Sequence, residues 1–296
     1  MNKYRVVHTT KYNFKHTVHY CEGQVRLTPQ AFNTQKLAFS QLVFRPLASK
    51  EWQQPDDYGN VISYFEMTRS LMSLSISAVN TVTVLPVMES CPEDSVPCDD
   101  LTRQYAELPA DMATEIQQYL EASPLIQIRP EFAEYAQRYF VPGLPLLLAV
   151  KEFTRRLHHD FIYECNTSHV ETTAWQAMQL RRGVCQDYAQ VAIACLRSIG
   201  IAARYVTGYV SRASQHERHI GSALSHAWFS IFEPNVGWVD FDPTNNCRID
   251  ECYITVGWGR DYSDVTPISG TIAAANQHSM NVSIDIETLS QTKSND

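Results

Sequence analysis

Arg181–Gly200 reads RRGVCQDYAQVAIACLRSIG, and the reading of this stretch decides the fold. Ala189, Ala192, Ile193, Leu196 and Ile199 recur at spacings of three and four, which makes one apolar face of a helix. Gly183 stands just ahead of the run and Gly200 just behind it, so the stretch predicts a buried helix over Cys185–Ser198, closed by Gly200. Cys185 then occupies the first turn. Most cysteines are small buried fillers, and Cys195, inside the same helix, is read that way. A helix head differs, because its unpaired N–H groups and the dipole favour an anion, and a thiol attacks as thiolate.

Working outward, the segments LTRQYAEL, MATEIQQYLEA, PEFAEYAQRYF and PLLLAVKEFTRRLHHDF carry helical periods, with Pro130 suited to a first helical turn. Thr172 or Thr173 caps a helix through TAWQAMQL, which Gly183 ends or redirects. Downstream, ARYVTGYV, HAWFSIF and GWVDFD are strands, and MNVSIDIETL is a fourth candidate because Val282, Ile284 and Ile286 alternate with polar residues. A cysteine-headed helix packed on an antiparallel sheet is an α+β core.

A nucleophilic thiol needs a base, and the base needs a group to orient it. His226 in SHAWFSIF and Asp242 in DFDPTNN are the candidates. Along HAWFSIF, His226, Trp228, Ser230 and Phe232 share a face, as do Trp238, Asp240 and Asp242 along GWVDFD. A five-residue loop EPNVG pairs Phe232 with Trp238 and makes His226 a diagonal neighbour of Asp242 on one face. A connection of even length sends Asp242 to the opposite face. The Cys-His-Asp hypothesis therefore requires an odd-numbered connection.

The first 85 or so residues are β-rich: KYRVVHTTKYNF, KLAFSQLVFRP, NVISYFEM and SLSISAVNTVTVL are separated by turn residues, which suits a small sandwich or barrel. The acidic run ESCPEDSVPCDD carries two prolines and no apolar period. The organisation predicted is a β-rich N-terminal domain over 1–88, a linker over 89–100, a catalytic domain over 101–270, and a C-terminal strand with a frayed tail over 271–296.

Gly183-Val184-Cys185-Gln186-Asp187, then His226-Ala227-Trp228, then Gly237-Trp238 leading to Asp242-Pro243-Thr244, resembles the bacterial transglutaminase-like cysteine peptidases in order and spacing. The segment GRDYSDVTP from Gly259 and the β-rich start are similar to that family too. The resemblance implies a papain-like α+β core with Cys185 as nucleophile, His226 as base and Asp242 as orienting carboxylate. Asp240 stands where the family often has a small residue, and it is the weaker alternative for the acid. Asp187 matches an acid of the family pattern and is expected to support the helix head. Trp228 and Trp238 are expected in packing or the cleft wall, and Trp175 and Gln176 are candidates for a second oxyanion donor.

Other classes find less support. A net charge of −8 with no basic stripe argues against nucleic acid. The N-terminus alternates where a signal peptide needs an apolar segment, and no apolar stretch approaches a membrane span; the expectation is a cytoplasmic protein whose eight cysteines are reduced. No C-x-x-C pair occurs, and His158-His159-Asp160 and His216-Glu217-Arg218-His219 lack metal-ligand spacing. Without a G-x-S-x-G elbow or a glycine-rich phosphate loop, neither a serine nucleophile nor a nucleotide cofactor is expected. The reading is a cysteine-dependent peptidase or amidase acting on a peptide or protein amide. Its rivals are transglutaminase-type transfer to an amine and a non-catalytic peptide-binding module.

Overall fold

A computed structural model describes residues 1–86, 91–211, 225–271 and 278–289. The chain opens with six strands: β1 (Asn2–Val18), β2 (Cys21–Val25), β3 (Gln35–Arg45), β4 (Lys50–Pro55), β5 (Val61–Met67) and β6 (Leu71–Val84). The helices α1 (Leu101–Ala106), α2 (Ala110–Gln117), α3 (Pro130–Ala136) and α4 (Leu146–Asp160) follow. Next come β7 (Ile162–Tyr163), α5 (Ala174–Leu180), β8 (Arg182–Gly183) and α6 (Cys185–Ser198). The chain then forms β9 (Ala203–Val210), β10 (Ser225–Glu233), β11 (Gly237–Asp242), β12 (Cys247–Arg248), β13 (Tyr253–Gly259), β14 (Ile268–Gly270) and β15 (His278–Thr288). No helix among the described residues is long and apolar enough to cross a membrane.

The β-rich start is a sandwich of two four-stranded sheets, ordered β15-β1-β6-β3 and β14-β2-β5-β4. Alternating residues of both sheets, among them Phe14, Val25, Phe44, Phe65 and Leu74, share one apolar cluster. Two of the eight strands come from the far end of the chain. Strand β15, expected beside the cysteine helix, pairs instead with β1, Val282 lying opposite Thr10 and Ile286 opposite Val6. The period-2 pattern predicts a strand but carries no information about its partner, and here the open edge of β1 takes it.

The second core is α6 against the sheet β12-β11-β10-β9-β13. Every residue of α6 from Gln186 to Arg197 is buried, so the helix is enclosed on all sides and not only along its apolar stripe. Its polar residues survive burial by serving backbone groups. Gln190 Nε2 donates to Thr172 O at 3.1 Å, and Arg197 donates to the carbonyls of Glu121, Ala203 and Arg260. Thr173 caps α5 in a box with Gln176. That helix ends on Arg181 in the left-handed region, φ 49°, two residues earlier than the expected Gly183.

The sandwich and the core are locked through the free edge of β13. A bulge between Thr255 and Gly257 turns the N–H and C=O of both Thr255 and Trp258 outward. Two buried carboxamides of the sandwich meet them. Gln35 Nε2 donates to Thr255 O at 2.7 Å and its Oε1 accepts Thr255 N–H at 2.8 Å. Asn60 Nδ2 donates to Trp258 O at 2.7 Å and its Oδ1 accepts Trp258 N–H at 3.0 Å. Residue 257 is glycine because a Cβ there would lie 2.5 Å from Asn60 Oδ1. Each carboxamide thus imitates a neighbouring strand and covers an edge otherwise open to pairing.

Removing either carboxamide strips two bonds from buried backbone, a loss of about 1–3 kcal/mol per unsatisfied group. With two such groups each, Gln35→Ala and Asn60→Ala are therefore expected to lower unfolding stability by about 2–6 kcal/mol in urea titration. An unchanged midpoint for both would show that the edge contact does not stabilise the fold.

Candidate active site

The site is assembled where the head of α6 meets β10 and β11. Val184 precedes the helix in extended conformation, and its carbonyl accepts the N–H groups of Asp187 (2.9 Å) and Tyr188 (3.2 Å). Asp187 returns the bond: its Oδ2 accepts Val184 N–H at 2.7 Å and the Ser168 hydroxyl at 2.5 Å. The carboxylate lies over Gly183, where a Cβ would stand 2.3 Å from Oδ2. That close approach is why glycine precedes Val184 and Cys185. Burial raises the Asp187 carboxyl above its usual range, with Ser168 and the Val184 amide pulling it back.

Strand β10 presents His226. Its pairing with β11 sets Phe232 opposite Trp238 and Phe229 opposite Phe241, the register required by the hypothesis. The ladder continues to Glu233 opposite Gly237, so the connection is Pro234–Val236, two residues shorter than expected and still odd-numbered. Trp228 underlies the site, fully buried, with its ring 6.2 Å from the His226 ring and edge-on to Tyr253 at 5.4 Å.

Asp242, completely buried, receives His226 Nε2 on Oδ2 at 2.7 Å. A carboxylate only accepts, so Nε2 carries the proton. The same imidazole is within hydrogen-bonding reach of the Cys185 thiol, for which Nδ1 is the nitrogen left. Four further donors satisfy Asp242: Tyr253 OH at 2.8 Å, Asn245 Nδ2 at 2.6 Å, and the N–H groups of Thr244 (2.8 Å) and Asn245 (3.1 Å). The last two are an Asx turn that DPTN builds for itself.

These contacts set the charges. Burial favours the neutral form of both partners, but the opposite charge and the hydrogen bond prevail. Asp242 is held below its ordinary range, and His226 is pushed up to about 10 by Asp242 and then by Cys185. The imidazole thus lies between the Cys185 sulfur and the Asp242 carboxylate.

The remaining predicted residues divide. Asp240 does not face His226. It lies opposite Ser230 on β10, and the Arg204 guanidinium lowers a carboxyl that burial raises. Arg204 is clamped between the rings of Trp238 and Trp258, 4.2 Å from each centroid, so Trp238 packs there. Trp175 is covered by Arg129 at 4.2 Å, and Gln176 belongs to the α5 capping box. His158-His159-Asp160 closes α4, where Asp160 pairs with Arg156; His216 and His219 lie outside the described residues. Tyr253 and Asn245 were not anticipated. Asn245 follows directly from the turn after Asp242, whereas Tyr253 belongs to YITVGWG, a strand whose alternation is broken by its glycines.

Comparison with known proteins now bears on this geometry. Residues 133–243 match the transglutaminase-like superfamily core, and residues 4–83 match the bacterial transglutaminase-like N-terminal region. An uncharacterised protein of Mycobacterium tuberculosis is 34% identical over 293 residues, covering 96% of this chain and 92% of that protein. The chain belongs to the transglutaminase-like superfamily. An uncharacterised protein of Mycobacterium leprae is 28% identical over 292 residues, spanning 98% of this chain and all of its own. Among solved structures, a protein of Cytophaga hutchinsonii provisionally called a cysteine protease superposes with a TM-score of 0.76 at 19% identity, covering 98% of this chain and 91% of that one. The transglutaminase-like α+β fold is thereby shared along nearly the whole length, sandwich included.

The charge state gives a direct prediction. In NMR spectra of ring-labelled protein, His226 is expected to remain an imidazolium at pH 7.5, where an ordinary histidine is neutral. In Asp242→Asn the proton should be released at lower pH. A His226 that titrates near 6.5 in both proteins would contradict the assigned pairing.

Proposed function

We propose that the protein is a cysteine-dependent amide hydrolase, a peptidase or amidase, in which Cys185 is the nucleophile, His226 the acid and base, and Asp242 the group that orients the imidazole. The observation that carries the reading is the His226 ring: Nε2 fixed by a buried carboxylate at 2.7 Å, with the Cys185 thiol within reach of the same ring. Asp187 supports the helix head through Val184 and Ser168, and Trp228 supports the imidazole from below.

In the proposed reaction the sulfur of Cys185, its proton resident on His226, adds to the amide carbonyl carbon. Negative charge develops on the carbonyl oxygen, and backbone N–H groups at the head of α6 stabilise it. His226 gives the proton to the leaving nitrogen, the C–N bond breaks and a thioester remains. Water, giving a proton to the now neutral imidazole, attacks the thioester; the C–S bond breaks, the acid leaves and the Cys185–His226 pair is restored. A primary amine in place of water would give transglutaminase chemistry; hydrolysis is preferred because water needs no binding site of its own. We place the enzyme in the cytoplasm, a setting compatible with eight unpaired cysteines. We take as functional units the β-rich domain 1–88, completed by β14 and by the C-terminal strand of segment 271–296, and the catalytic domain that starts at residue 101, joined by segment 89–100.

Casein incubated with the protein and a fluorescent primary amine separates the outcomes. Hydrolysis yields new peptides without amine incorporation, and Cys185→Ala lowers that activity by about a thousandfold or more. Incorporation of the amine without fragmentation would replace hydrolysis by transfer. Absence of both with the native chain would favour a binding module.

A further inference from the structure

A cleft of about 500 Å³ runs between the sandwich and the core, within the size range of small-ligand sites. Two of its lining residues stand next to the candidate site. Ser225, on its wall, is the residue before His226. Val170, also on its wall, has its carbonyl held at 3.0 Å by the side chain of Gln186, the residue after Cys185. The cleft therefore passes close to the head of α6 and to the start of β10. A larger cleft of about 670 Å³ beside α4 and β12 is lined by residues such as Leu147, Lys151 and Cys247 and touches neither neighbour.

The lining is chemically one-sided. Val170, Met280 and Val282 are exposed by 58%, 59% and 44%, and they converge on this cleft from two distant parts of the chain. Exposed large apolar side chains gathered at one place mark a contact surface, whereas scattered ones do not. Tyr12 and Ile268 extend the apolar wall. The floor is polar but already satisfied: His8 Nδ1 bonds Tyr209 OH at 3.0 Å and its Nε2 faces Thr10 Oγ1 at 3.5 Å. Burial holds His8 down to about 4, so it is uncharged at neutral pH. Among the described residues, Glu171 is the one charged group on the wall. Among the described lining residues none is a cation, and the Glu171 carboxylate would repel an acidic side chain.

We infer that this cleft is a substrate subsite, in which β1 and β15 of the sandwich and the Val170 loop hold a bulky apolar side chain of the acyl-donor peptide and exclude an acidic one. The inference rests on the proposed thiol chemistry. It assigns the cleft to the acyl donor because that component is common to hydrolysis and transfer and stays attached through the thioester. It also gives the sandwich a part in substrate choice, since strand β15 is supplied to it by the end of the chain and places Met280 and Val282 on the cleft.

The test uses acetyl-dipeptidyl chloromethyl ketones carrying Phe or Glu at the first or the second residue from the reactive ketone, with Gly at the other. Labelling of Cys185 in the full chain is followed by peptide mass spectrometry. The Phe reagent is expected to label Cys185 about tenfold faster or more than its Glu counterpart at one of the two positions. In Met280→Glu and Val282→Glu, both at exposed positions of β15, that ratio falls toward one; because it is read within each variant, a general loss of reactivity cancels. Equal rates for Phe and Glu, with Cys185 still labelled ahead of the other seven cysteines, would overturn the subsite and leave the nucleophile in place. An unaltered ratio in both variants would also overturn it. If no reagent labels Cys185 ahead of the other thiols, the thiol chemistry fails and the subsite fails with it.

Discussion

Moving a carboxylate from water into a protein interior costs several kcal/mol unless other charges and hydrogen bonds replace the solvent. Asp242 meets this condition with five donors drawn from three segments: His226 on β10, Tyr253 on β13, and the Thr244–Asn245 turn that follows Asp242 itself. The central strands β10 and β11 must hold their register for the first contact, and β13 must lie in the sheet for the second. The charge on Asp242 in turn keeps His226 protonated despite its own burial. Loss of the carboxylate would leave a buried imidazolium without a counter-ion, so the pair stands or falls together.

Around that pair the segments are tied to one another by hydrogen bonds. The head of α6 is fixed by Asp187 over Gly183, and the loop facing it is tied down by Ser168, Gln186 and Gln190. On the far edge of the sheet, the carboxamides of Gln35 and Asn60 hold the bulge of β13. The sandwich therefore bears directly on the strand that supplies Tyr253 to Asp242. A contact between a β-rich region and an edge strand is in this way connected, through one tyrosine, to the carboxylate behind His226.

Much of this was legible in the sequence because it is local. The period of three and four in Ala189, Ala192, Ile193 and Leu196 fixes α6, and alternation in HAWFSIF and GWVDFD fixes the faces of β10 and β11. The parity of the turn between them then places His226 and Asp242 together whether that turn holds five residues or the observed three. What escaped depends on partners distant in the chain. The pattern of Val282, Ile284 and Ile286 makes a strand but cannot say that β1 is its neighbour. Tyr253 lies in a strand broken by Gly257 and Gly259, which obscured its period, and Asn60 explains Gly257 only once the sandwich is docked. Asp240 shares a strand face with Asp242 in the pattern and is the weaker alternative for the acid, yet Arg204, clamped between Trp238 and Trp258, claims it.

The most direct test of the account is the rate at which iodoacetamide alkylates Cys185 at pH 6 in the native chain, in His226→Ala and in Asp242→Ala, read on the Cys185 peptide against the other seven cysteines. If the row of thiol, imidazolium and carboxylate operates as described, the native chain reacts about tenfold faster or more than either variant, since only it pairs the sulfur with a held imidazolium. Equal rates in all three proteins would contradict the account, because His226 and Asp242 would then have no influence on the Cys185 sulfur.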